Sequence, residues 1–115
     1  MRGVDPAGLI RYAYARQDIQ LPRVVAQQFD VGIPVAPEHL RPGDAVFFAS
    51  QGSYVDQVGL YAGRGRFVSA TPEGVRVASL NDPGFPGEFA GARRYTAQAL
   101  GNPSSYARPL PTVRP

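Results

Sequence analysis

The residues best placed for chemistry begin at Asp5-Pro6-Ala7-Gly8-Leu9. Asp5 suits a helix N-cap, because its short carboxylate can accept hydrogen bonds from the free backbone N–H groups that follow it. Pro6 suits the first helical position, where its missing N–H costs nothing and its fixed φ is already helical. Leu9, Ile10, Ala13 and Tyr14 then recur at the spacing of one helical face, which predicts a buried helix from Pro6 to about Gln17. The positive end of such a helix lowers the pKa of a thiol and suits a cysteine nucleophile. The chain has no cysteine, which excludes a thiolate nucleophile, a disulfide framework and a thiolate zinc site together. His39 is the only histidine, and in Pro37-Glu38-His39-Leu40 it reads as a surface residue beside a turn. Alone it cannot complete a zinc site, so neither a metal nor a cofactor is expected. Asp5 and Asp56 could form an acidic pair, but the cap is the simpler role for Asp5.

The elements that must position these residues follow from periodicity. Ile19, Leu21 and Pro22 read as an extended connection, and Arg23 to Phe29 as a short second helix stopped by Gly32 and Pro34. Val35 to Leu40 reads as a loop or single turn, and Arg41-Pro42-Gly43-Asp44 as a tight turn. Ala45 to Ala49 is a continuous apolar run, as a central strand requires. Ser50 to Asp56 is a polar loop. Gln57 to Ala62 and Arg66 to Thr71 form a hairpin through Gly63-Arg64-Gly65, and Val75 to Leu80 alternates cleanly. Asn81 to Gly91 is rich in Pro and Gly and reads as irregular, with Ala92 to Thr96 as a last, edge strand. Residues 97–115 carry four prolines and read as a flexible tail, in which Pro109-Leu110-Pro111 could serve a partner or a linker. Helices first and hairpin-linked strands after predict an α+β domain over residues 1–96.

At 115 residues the chain holds a single domain. Its net charge is +3, and all twelve basic residues are arginine, scattered from Arg2 to Arg114. Only Arg64/Arg66 and Arg93/Arg94 are close neighbours, so no clustered basic face for nucleic acid is expected. No apolar run approaches the roughly 18 residues that cross a membrane, and no basic start with an apolar signal segment opens the sequence, as expected of a protein that is not exported or of a mature or trimmed piece.

Several motifs together resemble the NlpC family of bacterial cell-wall endopeptidases, which are papain-like. The family's nucleophile motif, Asp-Cys-Ser-Gly-Leu at a helix start, is matched by Asp5-Pro6-Ala7-Gly8-Leu9. Ile10 to Ala15, Leu21-Pro22-Arg23, Gln27-Gln28-Phe29 and Leu40 to Phe48 are also similar to the family. Gln57-Val58-Gly59-Leu60-Tyr61-Ala62-Gly63 resembles its His-Val-Gly-Ile-Tyr strand, and Phe67-Val68-Ser69-Ala70 its Phe-Ile-His-Ala strand. The resemblance implies N-terminal helices packed on an antiparallel sheet of four to five strands. It implies that the Asp5 end of the first helix faces the strands carrying Gln57 and Ser69. The family also carries a helix and a Gly-Gly segment ahead of its nucleophile motif, and only four residues precede Asp5 here. Part of the groove wall is therefore expected to be missing, supplied from elsewhere, or cut away from the piece of chain given by this sequence.

Carried over residue by residue, the nucleophile position is Pro6, the general-base position Gln57 and the base-orienting position Ser69. A cysteine peptidase needs a thiolate, an imidazole to exchange its proton, and a group that holds the imidazole. Proline offers no heteroatom, and glutamine exchanges no proton near neutral pH. Ser69 as a nucleophile would lack a base beside it in sequence. The resemblance therefore implies an inactive homologue with no catalytic residues, secreted or associated with the cell wall, that binds peptidoglycan stem peptide or glycan. Asp5, Tyr12, Tyr54, Gln57 and Ser69 are its candidate groove contacts, although Tyr12 and Tyr54 serve equally as packing residues. The alternatives are a scaffolding module for another cell-envelope protein, its groove silent, and a hydrolase that uses unfamiliar residues.

Overall fold

In a computed structural model of the chain, which describes residues 5–52, 54–82 and 87–96, two short helices lead into one sheet. The helices are α1 (Pro6–Ala15) and α2 (Val25–Asp30), with a 3-10 turn at Pro37–His39. The strands are β1 (Ile33–Val35), β2 (Ala45–Ala49), β3 (Gln57–Gly63), β4 (Arg66–Thr71), β5 (Gly74–Ser79) and β6 (Glu88–Arg94). They lie side by side in the order β1-β6-β2-β3-β4-β5, each pair antiparallel. The α+β expectation is met.

Three expectations are corrected. The sheet has six strands, not four to five, because Ile33–Val35 pairs with β6 where the sequence reads as a helix stop and loop. Pro34 is tolerated there because β1 is an edge. The last strand is interior, not an edge: β6 lies between β1 and β2, and it starts at Glu88 within the stretch read as irregular. The helices are also displaced, with α1 ending at Ala15 and α2 running from Val25 to Asp30. After Ala15 the chain tightens, with Gln17 and Asp18 donating to the carbonyls of Tyr14 and Ala15, and Asp18 turns at φ 62°. The Pro-rich segment 97–115 and residues 83–86 lie outside the described residues.

The central strand is buried on both sides, which accounts for its unbroken apolar run. Ala45 and Phe47 of β2 join Val58, Ile10, Tyr14, Ile19, Leu21, Val31 and Tyr95 in the core on the helix side. Val46 and Phe48 point the other way, into a second cluster with Val35, Phe67, Ala78 and Ala92. That cluster is built from strands alone, with Leu40, Tyr61 and Leu80 packed against it. Gly59 makes its close packing possible: a Cβ added there would lie 2.7 Å from the Phe67 ring and 2.9 Å from the Val68 carbonyl. With no side chain in the way, the Phe48 and Phe67 rings meet across β3 with centroids 4.9 Å apart. On β5, Val75 and Val77 alternate as expected, but on the outermost strand they stay 53% and 60% exposed.

Candidate functional site

The first turn of α1 forms as its residue types dictate. The Asp5 side chain accepts a hydrogen bond from the Gly8 N–H at 2.6 Å, and Pro6 takes the first helical position. Ala7 is buried, and its carbonyl accepts a hydrogen bond from the Gln28 amide nitrogen at 3.1 Å. The same nitrogen donates to the Pro22 carbonyl at 2.9 Å, so one fully buried amide ties α2 to both the start of α1 and the connection after it. Gln28 Oε1 is buried and has no protein partner among the described residues.

The opposite end of α1 is fastened to the sheet. The Tyr14 hydroxyl donates to the Gly43 carbonyl, and the Gly43 N–H donates to the Tyr61 carbonyl at 2.8 Å. Asp44, 2% exposed, accepts both Arg94 Nε and Nη2 at 2.7 Å and the Arg41 N–H at 2.9 Å. Arg94 also donates to the His39 carbonyl. Burial first, and the Asp44 charge second, push the Tyr14 phenol up to about 12. Burial likewise raises the pKa of Tyr95, whose ring meets that of Tyr14 edge to face and whose hydroxyl donates to the Gln28 carbonyl.

Tyr14 is thus held near Tyr61, at the far end of β3 from Gln57, and α1 packs on β3 and β4. Gln57 opens β3, half-buried, opposite Phe48 in the register. Ser69 is buried in β4 and stands opposite Arg76 of β5. Strand alternation puts Gln57 and Ser69 on one face, the face of Phe48 and Phe67, on diagonal sites of neighbouring strands.

The other candidates separate from this pair. Tyr12 lies on the outer surface of α1, 52% exposed, under the Arg16 guanidinium. Tyr54 is 76% exposed in the β2–β3 loop. Asp56 accepts the N–H and hydroxyl of Ser50, bonds that hold its carboxyl below the usual range. Asp5 and Asp56 are thus each engaged in local bonds and do not form a working acidic pair. His39 sits in the exposed turn beside Arg94, near the Ala45 end of β2, whereas Gln57 pairs near the other end. Among the described residues no group of three His, Cys, Asp or Glu could hold a metal.

Three residues that fasten α1 in place carry more than sequence reading assigned to them: Gln28, Asp44 and Arg94. Gln28 and Asp44 stand inside family-like motifs, which was the available signal. Nothing local marks Arg94.

Two helices packed on a six-stranded antiparallel sheet fit the α+β fold of NlpC/P60 structures. The NlpC/P60 family model matches residues 1–94, and the chain belongs to the NlpC/P60 family. Gamma-DL-glutamyl hydrolase of Bacillus subtilis is 40% identical over 100 residues, covering 83% of this chain and 24% of that protein. Murein DD-endopeptidase MepS/Murein LD-carboxypeptidase of Escherichia coli is 34% identical, covering 85% of this chain and 53% of that protein. The chain thus spans between a quarter and about half of these curated relatives. RipD of Mycobacterium tuberculosis, described as a non-catalytic NlpC/p60 domain protein adapted to peptidoglycan binding, superposes with a TM-score of 0.65 at 33% identity. That match covers 78% of this chain and 65% of RipD.

Proposed function

We propose that this chain is a non-catalytic NlpC/P60 domain that binds peptidoglycan without hydrolysing it. The observation that carries this reading is the absence of any cysteine from the chain, with Pro6 standing at the family's nucleophile position. Gln57 and Ser69 occupy the base and orienting positions, and neither supplies an imidazole. In this reading Gln57 and Ser69, on one face of the sheet, are the ligand contacts kept from the family's site, and Pro6 opens the helix that carried its nucleophile. Asp5 and the exposed Tyr54 are further candidate contacts, whereas Tyr12, under Arg16, belongs to the surface of α1. Losing the reacting groups need not lose the ligand, because groove shape and hydrogen bonds bind substrate and transition state alike.

RipD supports the reading as a relative whose description joins catalytic loss to peptidoglycan binding. The MepS name adds that a relative acts on murein. In this reading residues 1–96 are the binding unit, followed by a Pro-rich segment, and the protein works at the cell wall. Sedimentation with purified, protein-free peptidoglycan sacculi tests it. The protein should pellet with sacculi and release no soluble muropeptides on prolonged incubation. Protein left in the supernatant, or turnover abolished by mutating one named residue, overturns the reading.

A further inference from the structure

The pairing of β6 with β2 carries one irregularity, and it lies beside Gln57. Arg93, Ala92 and Gly91 pair in turn with Ala45, Val46 and Phe47, and then Phe89 pairs with Phe48 and Glu88 with Ala49. Ala90 is the extra residue of a β-bulge. Gly91, at φ 152°, lets the backbone turn there while its missing side chain leaves room for the Phe29 ring. Plain alternation would aim Phe89 at the helix side, where Gly91 faces Phe29. The bulge instead places it on the face of Phe48, with ring centroids 6.0 Å apart and an interplanar angle of 74°. Bulges recur beside binding sites because they re-aim a side chain in this way.

The result is a cross-strand row of Phe89, Phe48 and Gln57 on β6, β2 and β3. The outer members of such a row are about 10 Å apart, two strand spacings. Phe48 is buried and forms the floor, whereas Phe89 keeps 37% of its surface in solvent. The backbone of Gly87 packs on Ala49 and Ser50, which brings the start of β6 against the loop that carries Tyr54. None of the three residues in the row is charged, so an anionic or cationic ligand gains nothing along it. An aromatic side chain with one open side, next to a half-exposed neutral amide, suits a flat uncharged ring with C–H groups on its face and polar groups at its edge.

We infer that Phe89, turned by the Ala90 bulge onto the Phe48–Gln57 row, stacks on a sugar ring of the peptidoglycan glycan strand, with the Gln57 amide bonding the ring's hydroxyl or acetamido groups. The inference rests on the reading of this protein as a peptidoglycan binder and narrows it to the sugar. The probe is the N-acetylglucosamine tetramer, titrated calorimetrically into the wild-type chain and into Phe89→Ala, Phe89→Leu and Phe89→Trp. Wild type should bind it; the Ala and Leu variants should bind roughly three- to tenfold more weakly, the size of one aromatic face contact, and Phe89→Trp at least as well as wild type. Phe89→Leu keeps apolar bulk, so a fold that fails only in Phe89→Ala still leaves the test decisive. No binding of the tetramer by wild type, or equal binding by wild type and Phe89→Leu, overturns the inference. Sacculi sedimentation is run in parallel. Retention on sacculi without tetramer binding sinks the sugar assignment alone, and tetramer binding through Phe89 without retention on sacculi sinks only the wider reading.

Discussion

The side-chain nitrogen of Gln28 donates to the carbonyl of Ala7, joining α2 to the first turn of α1 over a separation of 21 residues. The amide is fully buried and also serves the Pro22 carbonyl, so it fixes where the Asp5 end of α1 begins. Gln28→Ala removes two hydrogen bonds and leaves a cavity in the core. It should destabilise the domain by about 2 to 4 kcal/mol, read as a lower urea midpoint at unchanged slope. A loss under about 0.5 kcal/mol would show that α1 is held without it.

Asp44 and Arg94 should be far more sensitive to losing one partner than to losing both. Arg94→Met leaves the Asp44 carboxylate buried with the Arg41 N–H as its one remaining partner, at a cost of about 3 to 5 kcal/mol. Adding Asp44→Leu to that variant should recover part of the loss. Thermal melts of both single variants and the double variant measure the coupling, and strictly additive losses would contradict it.

The fold should weaken in alkali through Tyr14. Its folded pKa of about 12 lies above the ordinary phenol value of 10.0, so the neutral phenol is the form the fold prefers. That contribution, about 2 to 3 kcal/mol, is complete below pH 10 and is lost as pH rises toward 12. Tyr95 shifts in the same direction by burial and adds to the loss. Urea melts from pH 8 to 12 should show the fall, and Tyr14→Phe, less stable at pH 8 by about 1 kcal/mol, should show a shallower one. Parallel pH curves for the two proteins would rule Tyr14 out as a cause.

Gly59→Ala should lower the melting temperature, because its methyl group would lie 2.7 Å from a Phe67 ring carbon. Overpacking of this kind costs about 1 to 3 kcal/mol. Combining it with Phe67→Leu should give less than the sum of the two losses. An unchanged melt for Gly59→Ala would mean that the Phe48–Phe67 cluster is loose.

Pro6→Cys alone should hydrolyse no muropeptide, because Gln57 cannot protonate the leaving amine. The variant should stay folded, since Asp5 still caps the helix. Adding Gln57→His and Ser69→His should give slow turnover by high-pressure liquid chromatography of digested sacculi. Ser69 is 1% exposed, so the larger ring there should also cost stability, about 1 to 3 kcal/mol. A folded triple variant without turnover, its thiol titrating near the free value of about 8.5, would show that these positions lack catalytic geometry.

Much of this architecture is legible in residue order. Asp5-Pro6 announces α1, the apolar run Ala45 to Ala49 marks a strand buried on both faces, and Gly63-Arg64-Gly65 marks the β3–β4 hairpin. The misses share a cause. β1 is three residues long around a proline and exists only because β6 offers it a partner. β6 carries small residues, Ala90, Gly91 and Ala92, whose place beside β2 is decided by packing and not by propensity. The Ala90 bulge leaves no local mark, so neither the aim of Phe89 nor its place in the row with Phe48 and Gln57 could be read in advance. Gln28 and Asp44 stand in family-like motifs, but their burial shows only once the fold brings them against distant partners.

The two margins of the sheet are unlike. On one side β1 is short and Pro34 has no N–H to give, so it offers a newcomer little to pair with. On the other side β5 has six residues, no proline and two exposed valines. Among the described residues an incoming strand would therefore find more backbone to pair with along β5 than along β1.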